Sequence, residues 1–594
     1  MILSCDFETT TKAPVSVWIW GAHDVESDFF MHGETVTSFI EWCFSQKENV
    51  TAYFHNLKFD GSFVIYWLLH NGYTWKEETK DCEDFTFTTL ITDNNLFYNI
   101  TIYYRKSKKK TKKLTLIDSA KLFPNFSVES IAKSFDLPIK KGCIDYDRHN
   151  KPCEITKEEI DYLHNDCEIV ASALLQMFQM KLTKNTIGSC SLTNYKEYIG
   201  EKKFRDFFPL LEVENDLKIR RAYKGGWTFL NPDYALQDVG EGVVYDINSL
   251  YPWVMSYCLL PHGIPVSFEG EYIPSKDYPL YVQNISVKFR LKKNHLPTVQ
   301  IKNSRFFKGT EYLTDSSNSI VDLTLTNLDL ELLKKHYHID YIQYNGGYAF
   351  QAKNNLFRGF IEYWTNLKIQ AEKDGNKGLR TLCKLVMNNL YGKFSTFPAC
   401  QSRKPELNIE TDTLTFKLLE EKPRKNVYIP VGVFVTAWAR YTIINNAQKI
   451  HEESILKTGK SRFIYADTDS LHLTGFEAPK TLDIDSYRLG AFKEESKFYK
   501  GRFIRAKRYI EYELQKPPTE NGIYKIVNTS LGAKFVSEDF TSYPPKITCC
   551  GLPSKCYSQV TFINFKVGTV YKNKLQMKNV QGGIMLVNTD FTLN

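Results

Sequence analysis

The 594-residue sequence contains no apolar run approaching the about 18 residues that mark a membrane span, so no bilayer crossing is expected. It also lacks the basic, apolar and small-residue succession of a secretory leader. Its 13 cysteines are odd in number and scattered, without a pair at zinc-finger spacing, which argues against a disulfide framework or a structural zinc ribbon and for reduced thiols in a cytoplasm. Internal repeats and low-complexity linkers are missing too. Excess charge is small: +8 at neutral pH with a pI near 8.6 permits a polyanionic partner without demanding one. Core-forming residues are abundant. Hydrophobic residues make up 43% and aromatics 14%, which excludes a disordered chain and supplies flat rings for a core or for stacking bases and sugars. A chain this long exceeds one hydrophobic core, and about three to five domains or subdomains are expected.

The most informative stretch is Phe463-Ile464-Tyr465-Ala466-Asp467-Thr468-Asp469-Ser470, an apolar run that stops at two aspartates one residue apart. On an extended strand, positions i and i+2 share a face, so the spacing predicts that Asp467 and Asp469 aim at one place. Two adjacent carboxylates repel, and a hard divalent cation such as magnesium removes the conflict while substrate phosphates complete its shell. Alone, such a triplet is more often a solvated turn, and some sugar transferases use one for a metal-bound nucleotide sugar. A second strand, Gly242-Val243-Val244-Tyr245-Asp246-Ile247, delivers another acid and turns through Asn248-Ser249. Asp246 with Asp469 suits two metals, and Tyr251 in the following turn is placed to exclude a sugar 2′-hydroxyl by bulk.

The first 186 residues carry a second acidic set. Ile2-Leu3-Ser4-Cys5-Asp6-Phe7-Glu8 predicts a strand with Asp6 and Glu8 on one face, Asp60 falls at the start of a helix over Phe63–Leu69, and Tyr162 and Asp166 share a helix face at i and i+4. An N-cap is the plain alternative for Asp60. Four acids and a phenol brought together fit two-metal phosphodiester hydrolysis. The basic run Lys106-Ser107-Lys108-Lys109-Lys110-Thr111-Lys112-Lys113 reads as a hairpin loop, either solvated or in contact with phosphates.

Between Gly378 and Gly392 the pattern is helical; at about 100° per residue, Arg380, Lys384, Asn388 and Tyr391 fall within roughly 80° of one another. Leu379, Leu382, Val386 and Leu390 occupy the other side. A basic stripe with an amide, a phenol and no acid suits a triphosphate and a base, and Lys368 on the preceding helix adds a cation. Arg220-Arg221-Ala222-Tyr223-Lys224-Gly225-Gly226 mixes cations with glycines that let backbone approach phosphates. Lys507 and Tyr509 are expected on one strand face holding a nucleic-acid backbone, and Lys566, Lys572, Lys574 and Lys578 near the end are candidates for gripping duplex.

In order and spacing these motifs resemble the protein-primed family B DNA polymerases of tailed bacteriophages, end to end. Asp6-Phe7-Glu8, Asn56-Leu57-Lys58-Phe59-Asp60 and Tyr162-x-x-x-Asp166 are similar to that family's proofreading exonuclease motifs, with Lys141 and Tyr146 as auxiliary residues. Tyr223-Lys224-Gly225-Gly226 resembles its motif coordinating synthesis with editing. Its polymerisation motifs are matched by Asp246-Ile247-Asn248-Ser249-Leu250-Tyr251-Pro252, Lys384-x-x-x-Asn388-x-x-Tyr391-Gly392, Thr436-Ala437-x-x-Arg440, Tyr465-x-Asp467-Thr468-Asp469-Ser470 and Lys507-x-Tyr509. Asp118-Ser119-Ala120-Lys121-Leu122 departs from the pattern, with alanine where a leucine usually follows the serine.

The resemblance implies a mixed α/β chain: an RNase-H-like exonuclease domain over 1–186, then a right-hand polymerase with palm at 187–257 and 429–540, fingers at 356–395 and thumb at 541–594. Two family-specific inserts are implied, at 258–355 for terminal-protein contact and at 396–428 for processivity and strand displacement. It implies a DNA-templated DNA polymerase with 3′–5′ exonuclease activity and protein-primed initiation on a linear phage genome in the cytoplasm of an infected bacterium. Two Mg2+ per active site are implied, with Mn2+ as a substitute. Asp246 and Asp469 would hold metal for synthesis with Asp467 in support. Asp6, Glu8, Asp60 and Asp166 would hold it for editing, with Tyr162 orienting water. Tyr251, Lys368, Arg380, Lys384, Asn388 and Tyr391 would meet the nucleotide. Asn56, Phe59, Ser119, Tyr146, Tyr223, Gly225, Gly226, Thr436, Arg440, Lys507 and Tyr509 would meet DNA. The implied partners are template and primer DNA, deoxynucleotides, a terminal protein, with which the monomer forms a heterodimer, and a phage single-strand DNA-binding protein. Two rivals are an exonuclease with a decayed polymerase half, disfavoured by the intact second acid set, and a non-catalytic single-strand binder, favoured only by charge and aromatic content.

Overall fold

Alternating apolar residues at the start of the chain build one mixed sheet, and their placement decides where its acids point. The structure, a computed structural model, describes residues 1–105, 111–300, 312–424, 427–514, 524–529, 532–537 and 545–594. Lys106 to Lys110 of the basic run lie outside the described residues. The strands β1 (Ile2–Thr9), β2 (Val17–Asp24), β3 (Phe30–Gly33), β4 (Val50–Phe54), β5 (Thr74–Trp75), β6 (Thr86–Ile91), β7 (Phe97–Arg105) and β8 (Lys112–Asp118) form a sheet in the order β3-β2-β1-β4-β8-β7-β6-β5. β1, β4 and β8 run parallel, so three strand ends and their loops open on the same edge. Helices α1 (Val36–Ser45), α2 (Lys58–His70), α3 (Val128–Ser134), α4 (Lys157–Gln179) and α5 (Ile187–Ile199) belong to the same segment.

Strand periodicity divides β1 in two. Leu3, Cys5 and Phe7 enter a core with Phe39 and Ile40 of α1 and with Phe63 and Val64 of α2. Ser4, Asp6 and Glu8 face the other way, in register with His23, Gly21 and Ile19 of β2. That second face is covered by α4, whose Leu163 and Cys167 pack on Ile19. Gly21 permits the approach, since a Cβ there would stand 2.7 Å from Leu163 Cγ. Burying Leu163 and Ile19 completely is worth about 1.5–3 kcal/mol each. A capping box of Thr156 with Glu159 starts α4.

The chain continues through α6 (Glu201–Phe207), α7 (Val213–Arg220), β9 (Thr228–Leu230), β10 (Asp238–Val239), β11 (Gly242–Ile247) and α8 (Leu250–Tyr257). An excursion follows, in which β12 (Leu260–Phe268), β13 (Leu280–Leu291), β14 (Val321–Thr326) and β15 (Tyr337–Lys353) form a sheet of order β12-β15-β13-β14 with α9 (Asn327–His336). Next come α10 (Arg358–Lys373), α11 (Lys377–Phe394) and two small strand pairs, β16 (Ala399–Cys400) with β19 (Lys422–Pro423) and β17 (Arg403–Asn408) with β18 (Thr413–Leu418). The long α12 (Ile429–Thr458), buried on nearly all sides over its first half, ends at Gly459 with φ 74°, a left-handed cap that glycine takes at no steric cost. After it, β20 (Phe463–Asp467), β21 (Ser470–Thr474), β22 (Phe492–Arg505), β23 (Arg508–Glu513), the pair β24 (Tyr524–Thr529) and β25 (Gly532–Ser537), and β26 (Lys546–Cys549) lead to the closing hairpin β27 (Val570–Val580) and β28 (Gly583–Thr592). The second large sheet has the order β26-β23-β22-β11-β21-β20-β9, with β10 beside β22.

Compactness groups these elements across the sequence-based segments. One unit comprises Met1–Glu201, Glu362–Asn426 and Leu575–Val587, and the other comprises Lys202–Ile361, Val427–Lys574 and Asn588–Asn594. The helix α11 thus packs within the first unit, where its Thr381 hydroxyl donates to the Ser134 carbonyl at 3.0 Å and Lys377 meets Asp136 at 2.8 Å. The β17–β18 turn also docks there, through Asp412, which accepts from the Tyr66 hydroxyl at 2.5 Å and from His70 at 3.0 Å.

Candidate active sites

The first unit gathers all four expected editing acids. Asp6 and Glu8 stand on the face of β1 that α4 covers; α4 brings Asp166, and the start of α2 brings Asp60. Asp60 is no N-cap: it is the third residue of α2, 2% exposed, and accepts from the Phe7 amide at 3.2 Å. Burial, then the Asp166 charge, pushes the Asp6 carboxyl up to about 7 against the pull of Lys141. Burial and the Asp6 charge raise Glu8 and Asp60 likewise. One lysine, Lys141, forms an ion pair with Asp166, its ammonium also lying 5.2 Å from the centre of the Tyr162 ring. Tyr162 is buried and shares a 3.0 Å hydroxyl contact with Tyr146. Asp166 Oδ1 is buried without a hydrogen-bond partner. Four partly or wholly buried carboxylates, one cation and one orphaned carboxylate oxygen leave a deficit of positive charge that divalent, oxygen-preferring cations fit.

Beneath this cluster the Asn56 segment is pinned rather than free. Asn56 is exposed at φ 77°, and its amide donates to Asp118 Oδ1 at 3.0 Å, as does that of Ala120. Phe59 is partly buried against Phe63. Ser119 is fully buried, donates to the Phe54 carbonyl at 3.1 Å and meets His55 Nδ1 at 3.1 Å. Its hydroxyl braces the loop from inside.

In the second unit β11 lies between β21 and β22, with Asp246 opposite Ser470 and Lys493. The Ile247 amide donates to the Asp469 carbonyl at 2.9 Å, so two acids 223 positions apart occupy adjoining strand ends. The expected extended geometry of Asp467 and Asp469 is corrected. Asp467 ends β20 and pairs with Ser470, while Thr468 and Asp469 form the turn between them. The Asp469 amide donates to the Asp467 carbonyl at 2.7 Å and Thr468 has φ 66°, which together make a γ-turn of the strained positive-φ kind. A β-branched residue rarely takes that conformation, and here the surroundings impose it. The two carboxylates consequently part company: Asp467 binds Lys507 Nζ at 2.5 Å, while burial and then the Asp467 charge push Asp469 up to about 6. A half-buried carboxylate already raised by its neighbour fits a divalent cation shared with Asp246.

The turn rests on the Tyr223–Gly226 segment. The Thr468 amide donates to the Trp227 carbonyl at 2.9 Å, and a Cβ on Gly226 would lie 2.5 Å from Thr468 Oγ1. Gly226 is therefore required by contact with the acid-bearing turn. Gly226→Ala should cut primer extension by about ten-fold or more while leaving degradation of a 3′ single strand unchanged, since a shift of about 1 Å in a catalytic group costs on that order. Extension and degradation rates measured on one preparation check this; equal losses in both would show general unfolding instead.

Two further residues expected to meet DNA are packed inside the second unit. Thr436 is 1% exposed and spends its hydroxyl on the Gly432 and Val433 carbonyls of its own helix. Arg440, 3% exposed, makes a bidentate pair with Asp329 and donates to the Lys224 and Gly225 carbonyls at 2.8 and 3.0 Å. Arg440 holds the backbone of the Tyr223–Gly226 segment from below. Lys507 and Tyr509 do not share a strand face. Lys507 sits in the β22–β23 turn at φ 56°, its amide donating to the Tyr465 hydroxyl at 2.9 Å, whereas Tyr509 is buried among Tyr465, Phe503 and His472. Tyr251 is the second residue of α8 and is half-buried, after Ser249 has turned the chain with φ 51°.

Within the first unit, α10 and α11 bring Lys368, Arg380 and Lys384 together. Burial, followed by the charges of Arg380 and Lys384, depresses the Lys368 ammonium. Among the described residues' ion pairs only Glu372 offsets them, its Oε2 standing 3.5 Å from the Arg380 Nε. Lys384 and Asn388 are exposed, and Tyr391 is half-buried on the same stripe, while Leu382, Val386 and Leu390 are buried as expected. Like charges held together with a single carboxylate to offset them form an anion site.

The family described as DNA polymerase type B, organellar and viral, matches residues 42–156 and 145–486. The DNA polymerase of Bacillus phage phi29 is 41% identical over 596 residues, covering 99% of this chain and 98% of the phage protein. That of Bacillus phage B103 is 39% identical over 598 residues, covering 100% and 99%. The solved structure of phi29 DNA polymerase complexed with primer-template DNA and incoming nucleotide substrates superimposes with a TM-score of 0.88 at 40% identity, covering 100% of both chains. With two acid sets, a basic helix and full-length similarity in agreement, the chain belongs to the organellar and viral type B DNA polymerases, on the protein-primed phage branch.

Proposed function

We propose that Asp246 and Asp469 hold the metal ions of nucleotidyl transfer in this DNA polymerase and that Asp6, Glu8, Asp60 and Asp166 hold those of its 3′–5′ exonuclease. The observation that carries the reading is the strand pairing that sets Asp246 beside the Asp467–Ser470 turn. The chain is a DNA-directed DNA polymerase with proofreading and strand-displacing, protein-primed synthesis, and it uses divalent cations. Magnesium suits both carboxylate sets best, with manganese as a substitute; when bound, the ions acidify the attacking hydroxyl or water and offset charge on the leaving oxygen.

The chain's own groups do the rest. Lys368, Arg380 and Lys384 bind the triphosphate and counter its developing charge, with Asn388 and Tyr391 toward the base. Tyr251 sits against the sugar and excludes a 2′-hydroxyl. Asp467 orients Lys507, which holds the primer backbone near its 3′ end. At the editing site the Tyr162 hydroxyl, held by Tyr146, orients the attacking water, while Lys141 compensates Asp166. Asn56 and Phe59 meet the frayed primer end, and Tyr223, Gly225 and Gly226 meet DNA.

Template, primer and deoxynucleotides are the substrates, as in the phi29 complex with primer-template DNA and incoming nucleotides. A terminal protein supplies the priming hydroxyl in a heterodimer with this chain, contacting the β12–β15 sheet and α9, and a single-strand DNA-binding protein of the same phage covers displaced strands in the cytoplasm of the infected bacterium. The seven segments expected from sequence remain the proposed division into exonuclease, palm, fingers, thumb and inserts. Mixing the chain with a candidate terminal protein, labelled deoxyadenosine triphosphate and magnesium should attach label covalently to that protein. Label absent from protein while a DNA primer is extended normally would overturn protein priming and leave the polymerase assignment intact.

A further inference from the structure

We propose that His23, His164 and Glu168 form a binding site for one zinc-class transition-metal ion, separate from the carboxylate cluster used for editing. One ligand atom from each residue falls within a sphere in which all three lie within 4.8 Å of one another, and His164 Nε2 stands 3.8 Å from Glu168 Oε2. A tetrahedral ion with metal–nitrogen bonds of about 2.0–2.1 Å needs ligand atoms roughly 3.3 Å apart, so small rotamer shifts complete the set.

Three features distinguish this trio from a surface charge pair. His23 is buried, and its Nδ1 lies 2.8 Å from the Asp24 carbonyl. A carbonyl can only accept, so the proton is on Nδ1 and the lone pair is on Nε2, the arrangement in which a metal-bound histidine is oriented by its second nitrogen. The His23 and His164 rings are nearly parallel, at 15° with centroids 5.4 Å apart, and Phe30 lies 4.4 Å from the His164 ring as an apolar wall. His164 and Glu168 are i and i+4 on α4 and share one side of it, about 200° around the helix from the side carrying Tyr162 and Asp166. Two imidazoles with a carboxylate select zinc, cobalt or nickel over magnesium, which takes oxygen ligands.

The position gives the ion a role. It would join β2 to α4, the helix that carries Asp166 and Tyr162, at a contact otherwise made by Leu163 over Gly21. The site therefore fits an ion that fixes the editing helix against its sheet and leaves an open coordination position for water.

Cobalt reports on coordination directly. The full chain, stripped with a chelator and then saturated with magnesium to fill the carboxylate sites, should bind one cobalt ion per chain with the intense visible absorption of a four- or five-coordinate nitrogen-containing site, and zinc should displace it. His23→Gln and Glu168→Gln, on different elements, should each weaken cobalt binding by at least about ten-fold and abolish the rise in melting temperature that zinc gives the wild type. Using both variants guards against misfolding of one. Cobalt absorption and the zinc-dependent melting shift left unchanged by both substitutions, or a weak six-coordinate spectrum in the wild type, would overturn the proposal.

Discussion

Asp469→Ala should abolish magnesium-dependent primer extension, lowering it on the order of 10³-fold or more, while degradation of a 3′ single strand stays within about two-fold of wild type. Asp469 is the turn residue whose carbonyl is tied to the Ile247 amide and whose carboxyl is raised to about 6 by burial and by Asp467. Removing it leaves Asp246 alone on the face where the paired strands meet. Compensation from Asp467 is blocked, because Lys507 holds that carboxylate at 2.5 Å. Asp467→Ala should accordingly cost less, about ten-fold, and should act on the primer through a released Lys507. The editing acids belong to the other compact unit and keep their geometry in both variants. Rates of extension and degradation on one primer-template decide the matter: extension equal to wild type in Asp469→Ala would remove the synthetic role assigned to this turn.

What could be read from the chain beforehand divides along physical lines. Strand-end acids were legible because apolar runs lead into Asp6, Asp246 and Asp467, and the helix stripe was legible because 3.6-residue periodicity fixes which side chains share a side. Local turn geometry was not. An Asp-x-Asp triplet reads as extended, and only the pairing of Asp467 with Ser470 reveals a two-residue turn with Thr468 at φ 66°. The supporting contacts were hidden for a different reason: Arg440 and Asp329 are 111 residues apart, and Asp118 holds Asn56 across 62, distances over which single-sequence periodicity carries no signal. Motif alone therefore carries no sign of the internal contacts that Arg440, Thr436 and Ser119 make. Gly226 had a visible composition signal, but its reason, the Thr468 side chain beside it, is tertiary.

Asp6→Ala/Asp60→Ala should eliminate 3′–5′ degradation, again on the order of 10³-fold, with extension retained, and should also change how the protein melts. The second effect follows from the same electrostatics as the first. Asp6 is raised from the ordinary range to about 7, and Glu8, Asp60 and Asp166 are raised too, chiefly by burial and then by the Asp166 charge for Asp6 and the Asp6 charge for Glu8 and Asp60. Between about pH 4, where an unfolded carboxyl ionises, and about pH 7, the folded cluster holds protons that the unfolded chain has released. Stability from this cluster is therefore full at the acidic end of that window and is lost as pH rises through it, the opposite of a salt-bridged aspartate. In a metal-free buffer the first melting transition of the wild type should fall between pH 5.5 and 8, magnesium should restore it at pH 8, and the double variant, with half the buried acids gone, should show a shallower fall and a smaller magnesium response. A wild-type transition indifferent to both pH and magnesium over that range would mean that these carboxylates do not share one desolvated space, and the editing site would then lose the charge deficit on which its metal binding rests.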